Sequence, residues 1–203
     1  MKKNLILFIM LVLSTITYAQ DRPSFTLTKG TVLTYNVEQG DNEYQFIMTI
    51  TELDKGLSFD WKMTEPINRS GTVSMTSNAM KSATALFSYF KGGITKLTDE
   101  TSAFVSTDVY NALKVGEKVT LSAYGKEGTL EEFDVMEPGH SENSGTFYME
   151  LTKPVNGTNY TFDSYILENA DSGDNIRVWK NAKYPLILTM TTNFNIYLMS
   201  VEQ

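Results

Sequence analysis

Apolar side chains at every second position leave a chain few ways to fold. From Leu57 to Met63, the residues Leu57, Phe59, Trp61 and Met63 alternate with Ser58, Asp60 and Lys62. An extended chain turns successive side chains to opposite faces, so this run predicts a strand with one apolar face and one wet face. Antiparallel sheets have that character, because one side covers the core and the other meets solvent.

The same alternation closes the chain. Asn175 to Val201 contains three strand-like runs. Tyr184, Leu186, Leu188 and Met190 share one face. Phe194, Ile196 and Leu198 share a face of the next run, after a turn at Thr192-Asn193. The short polar link predicts a hairpin. Upstream, Leu33, Tyr35 and Val37 alternate with polar residues, Gly40-Asp41-Asn42 turns the chain, and Tyr44, Phe46, Met48 and Ile50 follow. A second turn at Asp54-Lys55-Gly56 leads into the Leu57 run, which makes a meander of three strands.

Gly71 to Thr76 is a shorter strand. The period then changes. Met80, Ala83, Leu86, Phe87 and Phe90 recur at three- and four-residue spacing, which predicts an amphipathic helix of about three turns. Ser77 or Asn78 can cap it, and Gly92-Gly93 stops it. Ile94 to Val105 is irregular. Ser106 caps a second short helix through Leu113, with Asp108 in its first turn and Gly116 after its end. Further strands are expected at 119–124, 129–135, 146–151, 160–167 and 176–179. They are separated by Gly125, Pro138-Gly139, Pro154, Asn156-Gly157 and Ser172-Gly173. About ten strands, two short helices and no strand-helix alternation predict an all-β fold. Residues 20–203 are read as a single antiparallel sheet domain, curled into a barrel-like or two-layer form, with a helical insertion at about 78–113.

The first 19 residues are read as a leader rather than part of that fold. Lys2 and Lys3 precede an apolar run from Leu5 to Ile16, and small residues lead to a cleavage site between Ala19 and Gln20. That is the layout of a secretory signal peptide, and its apolar run is too short to span a bilayer. The expected location is therefore outside the cytoplasm, periplasmic or extracellular, with no transmembrane segment after cleavage. The chain has no cysteine. Disulfides, thiol nucleophiles and lipid anchoring through a cysteine drop out together. Loss of Lys2 and Lys3 takes the formal charge of −7 to −9. An acidic chain of this kind is a poor partner for nucleic acid or anionic lipid.

Catalytic signals are sparse. His140 is the only histidine, and it stands in the loop-like run Glu137-Pro138-Gly139-His140-Ser141-Glu142. A hydrolase triad needs a histidine between an acid and a nucleophile, and no G-x-S-x-G elbow occurs. Glu132 and Asp134 would share a strand face beside Glu131, and paired carboxylates serve glycoside hydrolysis. Such pairs also decorate ordinary wet strand faces. Asp171-Ser172-Gly173-Asp174-Asn175 reads as a β-turn rather than a calcium loop, because no closing Glu follows. Gly92-Gly93 is too short to cradle phosphates. No catalytic residue, cofactor ligand or metal ligand is assigned. If a cavity exists, its expected lining is Phe59, Trp61, Met63, Trp179, Tyr184, Leu186 and Leu188, facing an apolar or glycan ligand.

Four words of the sequence carry a resemblance: LTYNVEQGD from Leu33, FIMTI from Phe46, STDVYNALKVGEK from Ser106, and Trp179 followed after five residues by Pro185-Leu186. In layout the chain resembles an uncharacterised family of exported β-rich proteins from Gram-negative bacteria. The resemblance implies a periplasmic barrel-like domain with no catalytic residues to carry over. The segment from Met80 to Phe90 departs from that layout. The first-ranked expectation for function is a non-enzymatic binding or envelope-maintenance module. The alternatives are a carboxylate-based glycan or lipid hydrolase, and an assembly protein recognised through an exposed sheet edge.

Overall fold

The computed structural model describes residues 25–136, 147–150 and 160–203. The leader with its Ala19–Gln20 junction, the Pro138–His140 loop, Pro154 and the Asn156-Gly157 turn lie outside the described residues. The meander forms as expected: β1 (Val32–Gln39), β2 (Asn42–Glu52) and β3 (Leu57–Met63). β4 (Ser70–Met75) follows, then the six-residue helix α1 (Ser77–Ser82), β5 (Gly93–Leu97) and helix α2 (Thr107–Lys114). The rest is β6 (Val119–Leu121), β7 (Glu131–Val135), β8 (Phe147–Glu150), β9 (Thr161–Glu168), β10 (Asn175–Trp179), β11 (Ile187–Thr191) and β12 (Asn195–Glu202).

These strands form one open sheet in the order β5-β4-β3-β2-β1-β12-β11-β10-β9-β7-β6. β8 pairs with β9 beyond the end of β7. The closing hairpin sits in the middle of this order: β12 pairs with β1 and joins the two ends of the chain. The all-β expectation holds, with two short helices among the described residues. The sheet is mixed rather than wholly antiparallel, because β4 and β5 run parallel, Gly71 opposite Gly93. A parallel pair needs a crossover connection, and α1 with the chain after it supplies one.

The helix expected through Phe90 ends at Ser82. Thr76 caps it, its hydroxyl accepting from the Ala79 amide at 3.2 Å, one residue before the caps expected from sequence. Ala83 is already extended. Beyond it the backbone pairs with two other segments. The Leu86 amide donates to the Ser122 carbonyl at 2.8 Å, and the Phe87 amide to the Thr101 carbonyl at 2.7 Å. Helical periodicity loses here to tertiary strand pairing. The second helix forms as expected, with Ser106 as cap, Asp108 in the first turn, and Val109 and Leu113 buried. The Asp171–Asn175 turn also forms: Asn169 Oδ1 accepts from the Asp171 and Ser172 amides, and Gly173 has φ +76°.

The sheet is strongly curled. The hydroxyl of Tyr184, three residues ahead of β11, donates at 3.4 Å to the carbonyl of Leu53, the residue after β2, although three strand spacings, about 14 Å if flat, separate those strands. Two apolar cores result. The larger joins the inner faces of β1–β4 to Phe25, Phe104, Phe162, Trp179, Leu186 and Leu188. The smaller packs α2 against β6, β7, β9, β10 and β11 through Leu113, Phe133, Leu167 and Ile176. β11 serves both, with Leu188 in the first and Ile187 and Met190 in the second.

Candidate functional site

A pocket of about 100 Å³ lies between the inner face of β1–β2, the hairpin β11–β12 and the chain from Leu86 to Phe90. Period-two patterning explains most of its walls. Tyr35 and Val37 of β1, and Tyr44 and Phe46 of β2, are the inward members of their alternations. Ile196, opposite Val37, is the inward residue of β12 at the same level. Met63 is the last inward residue of β3, and Phe194 and Met190 close the far wall.

The remaining wall is aromatic and comes from the extended chain after α1. The Phe90 ring stands 4.8 Å from Phe46, 5.0 Å from Trp61 and 5.3 Å from Phe87, centroid to centroid. Tilted and edge-on rings at these distances attract one another beyond simple burial. Phe87 is fixed by its backbone, since its carbonyl also accepts from the Ser102 hydroxyl at 3.0 Å.

None of the lining residues is charged. The Tyr35 hydroxyl donates to the Ile187 carbonyl at 2.9 Å. Burial pushes the Tyr35 phenol far above its ordinary value, and burial raises that of Tyr44 as well. Both therefore stay neutral at any working pH. A wall of this composition favours an uncharged apolar occupant, because a bare ion would lose its hydration without a partner.

Of the seven residues read from sequence as a cavity lining, Met63 stands on this pocket. Phe59, Trp61, Trp179, Tyr184, Leu186 and Leu188 are buried in the larger core. Trp61 packs against Phe90 and Phe46, and Trp179 against Phe25 and Phe162. Phe87 and Phe90, whose spacing predicts a helix stripe, form a wall of the pocket instead. The available signal was Thr84, Phe87, Ser88, Tyr89 and Phe90, all weak helix formers, ahead of Gly92-Gly93.

The acids of β7 tell a different story. Glu132 and Asp134 do share an outward face, and Lys118 bridges both at 2.6 and 3.2 Å. The Lys118 pKa is raised by its hydrogen bonds to these two acids. All three side chains are more than half exposed. Glu131 points elsewhere and accepts from Asn169 Nδ2 at 3.2 Å. This is an ion-paired surface cluster beside an open polar groove. Among the described residues no group of acids and histidines is arranged to hold a metal ion, and no helix is long and apolar enough to cross a membrane. No known family profile, curated protein or solved structure matches the chain.

Proposed function

We propose that this is an exported, non-enzymatic binding module that takes an uncharged apolar ligand in the pocket between β1–β2 and the closing hairpin. The observation that carries the reading is the pocket itself: walls mostly aromatic and aliphatic with Gln39, Ser88 and Ser102 as polar members, no charged lining residue, and its tyrosine phenols held neutral. Apolar cavities of about 150 Å³ stay dry and bind benzene-sized molecules. A pocket of about 100 Å³ with an open mouth suits a branched aliphatic group or one ring. Export is supported by the basic and then apolar pattern of Lys2 to Ile16.

The test is a titration with isopropylbenzene, followed through the methyl NMR signals of Val37, Met63 and Ile196. Saturable shifts at these three, with those of Val37 and Met63 lost in Ile196→Glu, support the reading. Isopropylbenzene that leaves all three unmoved, or moves methyls throughout the protein without saturating, would sink it.

A further inference from the structure

Phe90 has an unusual position for a pocket wall. It lines the pocket and meets Trp61 edge-on at 5.0 Å, while Trp61 is not among the lining residues. Phe90 and Phe46 are thus the pocket residues that pack against Trp61. Trp61 is 4% exposed, and its Nε1 has no hydrogen-bond partner among the described residues. A buried N–H without an acceptor costs about 1–3 kcal/mol, and native folds seldom leave one so.

The chain that carries Phe90 is tethered at its ends. Phe87 is held at both backbone polar groups, to Thr101 and Ser102. Gly92 and Gly93 follow at φ +107° and +74°, conformations that glycine adopts without strain. Between them, Tyr89 is 67% exposed and meets Lys91, whose Nζ lies 4.7 Å from its ring centroid. Ser88 to Gly92 belong to no helix or strand, so no ladder resists their movement. Phe90 is held by its three ring contacts.

We propose that Phe90 is a displaceable plug. The ligand that takes its place is an uncharged ring-bearing molecule with one hydrogen-bond acceptor, and that acceptor receives the Trp61 Nε1 proton. The inference rests on the apolar-pocket reading above and adds two things to it, the Phe90 exchange and the acceptor. Withdrawing Phe90 joins the pocket to the space in front of Trp61 and makes room for a full ring between Phe46, Phe87 and Trp61. The ligand's ring then replaces the contacts that Phe90 gave up, and its acceptor satisfies the indole N–H. A charged ligand gains nothing here, because no lining residue carries a countercharge.

The test compares acetophenone with isopropylbenzene, which share size and shape but differ in the carbonyl. The chain has two tryptophans, so the indole N–H signals are assigned with Trp179→Phe. Acetophenone should move the Trp61 indole proton downfield and bind about fivefold more tightly than isopropylbenzene. Phe90→Ala should tighten acetophenone about tenfold, since no plug has to leave. Phe90→Leu, which keeps an apolar side chain, should fall between the two and serves if the alanine variant folds poorly. If both compounds move the Val37 and Ile196 methyls while Trp61 stays still in the wild type and both variants, the plug is overturned and the pocket reading stands. If neither compound moves anything, both fall.

Discussion

Tyr35 shows how much one side chain can decide. It lines the pocket, and its hydroxyl reaches past β12 to the Ile187 carbonyl, tying β1 to β11 where the two strands of the hairpin no longer pair. Tyr35→Phe should cost about 1–2 kcal/mol in urea unfolding, because a buried carbonyl loses its donor. The pH dependence has a definite sign. The folded phenol titrates well above its ordinary value of 10.0, so the folded state keeps a proton that the unfolded state releases. That contribution is fully present below pH about 10 and is lost as pH rises beyond it. Stability should therefore fall between pH 9.5 and 11.5, and Tyr35→Phe should fall less steeply. Equal slopes for the two proteins would contradict this role. Tyr35 was readable from sequence as an inward strand residue. Its partner was not, since the bond spans 152 positions and depends on the curl.

At the scale of elements, legibility followed the pattern of burial. β3 was recovered to the residue, because its four inward positions are all large and apolar and its outward ones all polar. β5 was missed for the opposite reason. Ile94 points outward at 78% exposure while Thr95 turns inward, so the alternation runs against the burial. Its place in the sheet depends on Gly71. A Cβ there would run into the Gly93 carbonyl oxygen and come within 3.0 Å of Trp61 Cζ2. Gly71→Ala should push β5 off the edge at a cost of about 1–3 kcal/mol. Hydrogen exchange checks this: Thr95 and Leu97 amides, which face β4, should lose protection while those of β1 and β2 keep theirs. Unchanged protection at β5 would mean the edge does not need that glycine. The stripe after α1 failed as a helix because its backbone found partners in Ser122 and Thr101, which no local window contains.

The whole molecule is two cores sharing one curled sheet, with the hairpin β11–β12 as the common wall. β11 is buried on both sides, which makes it the costliest strand to damage. Leu188→Ala should lose about 2–5 kcal/mol, and Ile94→Ala, on the open edge, should change stability by less than about 0.5 kcal/mol. Comparable midpoint shifts in denaturant would contradict that ordering. The fold class was legible because strand patterning is local. The pocket was not, because its walls come from β1, β2, β3, the chain after α1, and the hairpin, which meet only after the sheet curls. Residues such as Phe59 and Leu188 carry the same inward signal as Val37 and Phe46, and only the curl decides which of them face space and which face each other. The most direct test of an apolar pocket is a crystal of the protein pressurised with xenon, which enters dry apolar cavities. One strong xenon peak is expected among Val37, Phe46, Phe90 and Ile196. Ordered water in that place, with no xenon, would contradict it.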